Sequence, residues 1–188
     1  MSRPYRSAGR KSTDCAGKPP ASERTKPVSE NPSAEAPCLS LFEGLHVTGT
    51  PVEVDIAEFR LKVQGAVERP LELSFQQIRA LPAVRKEIVL DCPGFFTDRG
   101  VWTGVPVSQI LALAGVQAGA VRVTFTSVDG SCSQTLALND LQGDAALIAC
   151  EFDGRPFAKV HGFPVRLAVE GKAGSCWVKW LGSLQVQP

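Results

Sequence analysis

The chain has 188 residues, enough for one domain of ordinary size and a tail. Its 44% hydrophobic content suits a globular protein that buries a real core. With 20 Lys+Arg against 19 Asp+Glu, the net charge of +1 gives no footing for nucleic acid or a membrane surface as the main partner.

Residues 1–40 are rich in Ser, Pro, Ala, Lys and Glu and almost free of large apolar side chains. Such a segment cannot bury enough surface to offset chain entropy, so a disordered polar tail is expected ahead of a domain over residues 41–188. No apolar run follows the basic start at residues 1–6, so no secretory signal is read and the cytoplasm is the expected location. A longer true N-terminus would move that expectation to the periplasm. No stretch approaches the length of a membrane-spanning helix. Leu39 to His46 carry the first apolar cluster, expected to dock on the domain.

From Val52 onward the pattern turns to strands. Residues 59–65 alternate apolar and polar, as a half-buried strand does, and residues 70–73 make another short piece. Ser74 reads as an N-cap for a short helix over 75–81, stopped by Pro82. Residues 87–90 predict a strand leading into Cys92, and the stretch from Pro93 to Gly100 reads as a loop. Residues 106–115 predict a second helix, with Pro at its start and Gly at its end. Residues 121–126 alternate as a strand, Asp129-Gly130 marks a turn, and residues 133–138 are expected to pair back. Residues 141–150 read as a buried strand, 165–169 as another, and 177–186 as a final strand-rich segment. Strands outnumber helices and no repeat is visible, which predicts an α+β fold with a mixed, mainly antiparallel sheet.

Six cysteines are present without a Cys-x-x-Cys pair, which argues against a zinc ribbon. Cys150 follows an apolar run and reads as a small buried hydrophobe, while Cys15 and Cys38 sit in the tail as free thiols. Cys92 is different. It ends an apolar strand and enters a Pro-Gly turn that lets a bulky group approach the backbone. A thiolate there can ligate a soft metal, and a buried structural cysteine is the plainer alternative. His161 and Arg166 fall five positions apart, with Lys179 later in the chain. An Arg fork, a Lys point charge and a His donor suit a phosphate. Solvent-facing or turn roles are the alternative for each. His46, with a poor local match, reads as a surface or packing residue. Asp91, Asp98 and Asp129 read as turn or strand-end caps.

Taken together, Cys92-Pro93-Gly94-Phe95-Phe96, then Val101-Trp102-Thr103-Gly104-Val105-Pro106, then His161-Gly162-Phe163-Pro164-Val165-Arg166 and Val178-Lys179-Trp180-Leu181 resemble the molybdopterin-binding domain of the sulfite oxidase family. The resemblance spans roughly residues 59–186. It implies that Cys92 is the protein ligand to molybdenum and the catalytic position. His161, Arg166 and Lys179 are implied as contacts of the pterin phosphate or ring, with Gly174 and Ser175 offering backbone or hydroxyl contacts nearby. Relatives also place a His or Asn near the start of the domain against the pterin, a pattern that His46 matches poorly. The implied cofactor is molybdenum-molybdopterin in its plain pterin form. The implied reaction is oxygen-atom transfer to or from a small-molecule substrate, with electrons passing to a separate electron-transfer protein. A cofactor-binding or interaction module without its own catalysis is the alternative. Three features depart from the family: Arg99 is the sole basic residue between Pro93 and Gly100, Ser131 stands where many members carry Tyr, and these 188 residues show neither a dimerisation domain nor a haem signature.

Overall fold

The computed structural model describes residues 41–188; the expectations for the tail, Cys15 and Cys38 lie outside the described residues. The chain builds two five-stranded sheets. The first contains β5 (Val84–Cys92), β6 (Phe96–Pro106), β9 (Ala146–Phe152), β10 (Arg155–Pro156) and β11 (Arg166–Val169). The second runs β4 (Leu71–Leu73), β3 (Leu61–Gly65), β12 (Leu181–Gln187), β7 (Arg122–Ser127), β8 (Ser133–Ala137). Only the β12–β3 pair is parallel among the ladders of these two sheets. A small hairpin, β1 (Leu41–Phe42) with β2 (Leu45–His46), precedes both. The helices α1 (Phe75–Arg79) and α2 (Val107–Ala114) are short. The fold is therefore α+β and mainly antiparallel, as expected.

Local signals account for most of these boundaries. Ser74 and Gln77 close a reciprocal capping box on α1. Gly115 ends α2 in the left-handed conformation, at φ 70°. Strand β3 buries Leu61 and Val63 while Lys62 and Gln64 face solvent, the period of two read from its sequence. Strand β9 is buried along nearly its whole length, because β6 flanks it on one side and β11 and β10 on the other.

Three segments differ from expectation. The stretch from Pro93 to Gly100 is not a loop: Pro93, Gly94 and Phe95 form a tight turn, and Phe96 begins an 11-residue strand. That strand pairs with β5 from Cys92–Phe96 through Val84–Gly104. It hides from hydropathy because two of its inward positions are Asp98 and Gly100 rather than large apolar residues. The buried strand near 141–150 begins at Ala146, after a 3-10 turn at Leu138–Leu141. The last strand starts at Leu181; the residues before it fold into a 3-10 turn, Gly174–Cys176, and an irregular stretch.

Gly104 lets β6 and β9 pack at a bulge. A Cβ there would collide with the Ile148 carbonyl oxygen and lie 2.6 Å from Ala149 Cα, both immovable backbone atoms. We expect Gly104→Ala to lower stability by about 2–3 kcal/mol, read as a shift in the urea midpoint at unchanged m-value.

Candidate functional site

The β5–β6 hairpin sets the site. Successive side chains of a strand alternate faces, so Ile88, Leu90 and Cys92 point inward together. Their cross-strand partners Phe96 and Asp98 share that face, Cys92 opposite Phe96 and Leu90 opposite Asp98. The hairpin thus delivers a thiol, an aromatic ring and a carboxylate to one place, at the end of the first sheet.

Two later segments close the other side. Arg166 is the first residue of β11 and only 3% exposed. Its guanidinium lies 5.3 Å from the ring centroid of Trp102, 5.7 Å from that of Trp177 and 6.0 Å from that of Phe157. Nη1 donates to the His161 carbonyl at 3.1 Å, and buried Nε has no partner. Lys179 donates through Nζ to Thr48 O (2.7 Å) and Val160 O (3.0 Å). Gly162 makes the close approach feasible: at φ 104°, a Cβ there would sit 3.1 Å from Lys179 Cβ and 3.2 Å from Arg166 Cβ. Gly174 does the same at the thiol, since a Cβ there would run into Cys92 Sγ.

Cys92, Arg166, Gly174 and Lys179 line one cleft of about 170 Å³, together with His46 and Cys132. A larger cleft, about 480 Å³, lies along β3 and β12, with Glu53, Glu58, Arg60 and Glu72 in its walls but no thiol, imidazole or buried cation. Size points to the second and chemistry to the first.

The cleft is electrically unbalanced. Among the described residues neither Arg166 nor Lys179 forms an ion pair. Burial pulls Arg166 down to about 10. Burial first, and repulsion from Arg166 second, pull Lys179 down to about 7. Burial, then the charges of Asp91 and Asp98, push the Cys92 thiol up, against the pull of Arg166 and the Gly174 amide. A bound anion would ease the strain on Arg166 and Lys179, and a metal cation at the thiol would favour the Cys92 thiolate.

The remaining sequence-predicted residues lie elsewhere. His161 is buried at 1% exposure outside this cleft; its Nε2 donates to the Phe42 carbonyl (2.8 Å), and Nδ1 has no partner. Burial lowers its pKa. Ser175 is exposed on the 3-10 turn. Sequence reasoning passed over two residues that the structure brings in. His46, read as a surface or packing residue, lines the cleft. Asp98, read as a cap, is 4% exposed and accepts from the His46 backbone N–H at 2.9 Å, with His46 Nδ1 2.6 Å away. Recognising Pro93-Gly94 as a hairpin turn would have put Asp98 on the face of Cys92. Asp91 and Asp129 keep local roles, accepting from Thr97 and from Ser127 and Ser131. Arg99 faces outward and pairs with Glu87.

Comparison with known proteins bears on this geometry. Residues 47–188 match the oxidoreductase molybdopterin binding domain. The chain is 30% identical over 145 residues to the uncharacterized oxidoreductase YuiH of Bacillus subtilis (strain 168), covering 77% of this chain and 73% of that protein. It is 26% identical to the sulfite oxidase of Arabidopsis thaliana, over 72% of this chain but 44% of that one. The crystal structure of the sulfane dehydrogenase SoxCD from Paracoccus pantotrophus superposes with a TM-score of 0.67 at 26% identity, covering 72% of this chain and 40% of that chain. The chain thus spans less than half the length of the last two. Among the described residues, no helix is long and apolar enough to cross a membrane.

The depressed Lys179 has a consequence for the cofactor-free chain. Unfolded, Lys179 keeps its proton up to its ordinary value of 10.5; folded, it releases it at about 7. The unfolded state then binds more protons, so stability should rise with pH from about 7 to 8.5. Urea midpoints across that window should climb for the wild type and flatten for Lys179→Met.

Proposed function

The chain belongs to the oxidoreductase molybdopterin-binding family, its cofactor is molybdenum held by molybdopterin, and on that premise we propose that it transfers an oxygen atom to or from a small substrate with Cys92 as the protein ligand to the metal. The observation that carries this reading is the cleft itself, where one inward thiol meets a buried Arg166 and a half-buried Lys179, neither with a carboxylate partner among the described residues.

The residues present fit such a group. A pterin phosphate or ring oxygen suits the orphaned Arg166 Nε and the unpaired charge of Lys179. Gly174 keeps the space beside Cys92 Sγ free of side chain, and its amide favours the thiolate that a metal requires. The bound cofactor supplies two-electron oxygen-atom exchange, chemistry that no side chain here provides. The chain's own part is to bind, orient and hold charge. Arg166 is held rigid by three aromatic rings and the His161 carbonyl, so it loses little freedom on meeting an anion. Trp177 and Trp180 add apolar wall to the cleft.

Arg99 faces outward, so Arg166 and Lys179 are the cations of this cleft among the described residues. We therefore leave sulfite as one trial substrate beside sulfoxides and N-oxides. The reading has electrons pass to a redox centre outside these 188 residues.

Molybdenum per chain, measured on protein from a host competent in pterin synthesis, tests the reading. Near one atom per chain is expected for the wild type, while Cys92→Ser, with the fold intact by circular dichroism, should lose either its molybdenum or oxygen-atom transfer. Cys150→Ser is the control: Cys150 is 8% exposed and outside the cleft, so it should keep its molybdenum while losing about 1–2 kcal/mol of stability. A folded wild type without molybdenum would point instead to an interaction module.

A further inference from the structure

His46 and Asp98 are 52 positions apart in sequence, and no role in the family expectation joins them. Asp98 is almost fully buried, yet both its oxygens are engaged by one residue. Oδ2 accepts the His46 backbone N–H at 2.9 Å, and Oδ1 lies 2.6 Å from His46 Nδ1. The imidazole is also stacked on Phe96, at 4.5 Å between centroids and 18° between planes. Ring position, ring plane and one ring nitrogen are all held by the β5–β6 hairpin, which also carries Cys92. Nε2 has no partner among the described residues, and the side chain lines the Cys92 cleft.

We propose that Asp98 is a positioning residue that holds His46 in its Nδ1–H tautomer, so that Nε2 presents a lone pair to the Cys92 cleft. A carboxylate can only accept, so the hydrogen of a short Nδ1···Oδ1 contact belongs to the imidazole. Neutral imidazole has one hydrogen, and Nε2 is then an acceptor. Arg166, and Lys179 whenever it is protonated, can only donate to the occupant. His46 is thus the cleft's built acceptor for an N–H or O–H group of whatever binds there. This inference rests on the proposed cofactor site for the identity of the occupant, but the tautomer stands independently of it.

The experiment is nitrogen-15 NMR on full-length chain labelled at histidine. The chain has two histidines, so His46→Gln assigns both sets of signals. In metal-free protein at pH 8, wild-type His46 should show a pyrrole-type shift at Nδ1 and a pyridine-type shift at Nε2. Asp98→Ala should exchange the two or average them. Asp98→Asn, nearly the same shape, keeps the test available if the alanine variant does not fold. A pyrrole-type Nε2 in the wild type would overturn the proposal, since it would mean either that a protonated Asp98 donates to the ring or that both ring nitrogens carry hydrogen and Nε2 is a donor. Loaded protein supplies the second arm. An Nε2 shift that moves on loading assigns the donor to the cofactor, and one that moves only on adding sulfite or dimethyl sulfoxide assigns it to substrate. An Nε2 unmoved by either overturns the acceptor role. Wild type that takes up no molybdenum would remove the cofactor reading while leaving the tautomer result intact.

Discussion

A buried Arg166 and a half-buried Lys179, neither paired with an anion among the described residues, are the constraint around which this molecule is arranged. Moving an ion out of water costs several kcal/mol even after relaxation. The aromatic rings around Arg166 return about 0.5–2 kcal/mol per favourable contact. A hydrogen bond from a charged donor to a carbonyl returns about 1.5–3. Arg166 has one such bond and Lys179 two, so the cleft is left short of balance. The core must therefore carry the site. It does so with the continuous apolar strand β9 and with Trp102, whose ring is fully buried, packs on Phe152 and Trp177, and donates to the Ile88 carbonyl. The same ring that anchors the first sheet is the nearest face beneath Arg166. Site and core are a single structure at that point.

The second constraint is register. Cys92, Phe96 and Asp98 reach the cleft because β5 and β6 pair with even-numbered residues inward. A slip of one residue would turn all three to solvent. The turn at Pro93, Gly94 and Phe95 fixes that register, with the Phe95 N–H bonded to the Cys92 carbonyl at 2.9 Å. Glycines then set distances where a side chain would intervene. Gly162 lets Arg166 and Lys179 come together, and Gly174 clears the thiol.

How much of this was legible in the sequence follows from which signals are local. The capping box at Ser74, the Pro-to-Gly frame of α2 and the alternation of β3 depend on neighbours a few residues away, and they were readable. The burial of Cys150 followed from the apolar run before it. The strand after Cys92 was not readable, because Asp98 and Gly100 occupy inward positions for reasons of site and packing rather than hydropathy. Gly100 faces Phe152, where a Cβ has no room. His46 was missed for a related reason. Its partner lies 52 residues away, and nothing near it in sequence distinguishes a tethered imidazole from a loose one. Arg166 and Lys179 drew attention through motif resemblance; what covers Arg166 comes from three separate segments, through Trp102, Phe157 and Trp177, and the half-burial of Lys179 comes from the irregular stretch before β12, neither of which periodicity describes.

The segment from Leu41 to Gly49 shows how closely support and function overlap. Of its large side chains only Leu45 is fully buried, while Leu41 and Phe42 are 62% and 48% exposed. Its hold on the domain is therefore largely polar. His161 donates to the Phe42 carbonyl, Asp98 binds His46 twice, and Lys179 donates to the Thr48 carbonyl. Each of these ties comes from the cleft or its immediate surroundings. A carbonyl can only accept, so His161 must carry its hydrogen on Nε2, and its buried Nδ1 is left as a bare lone pair. Replacing His161 would then release the strand that carries His46 as well as remove an imidazole. Loss of cofactor in such a variant would not by itself identify His161 as a contact. The geometry makes it a latch first, since the atom it binds is the backbone of Phe42 and the cleft wall is formed by other residues.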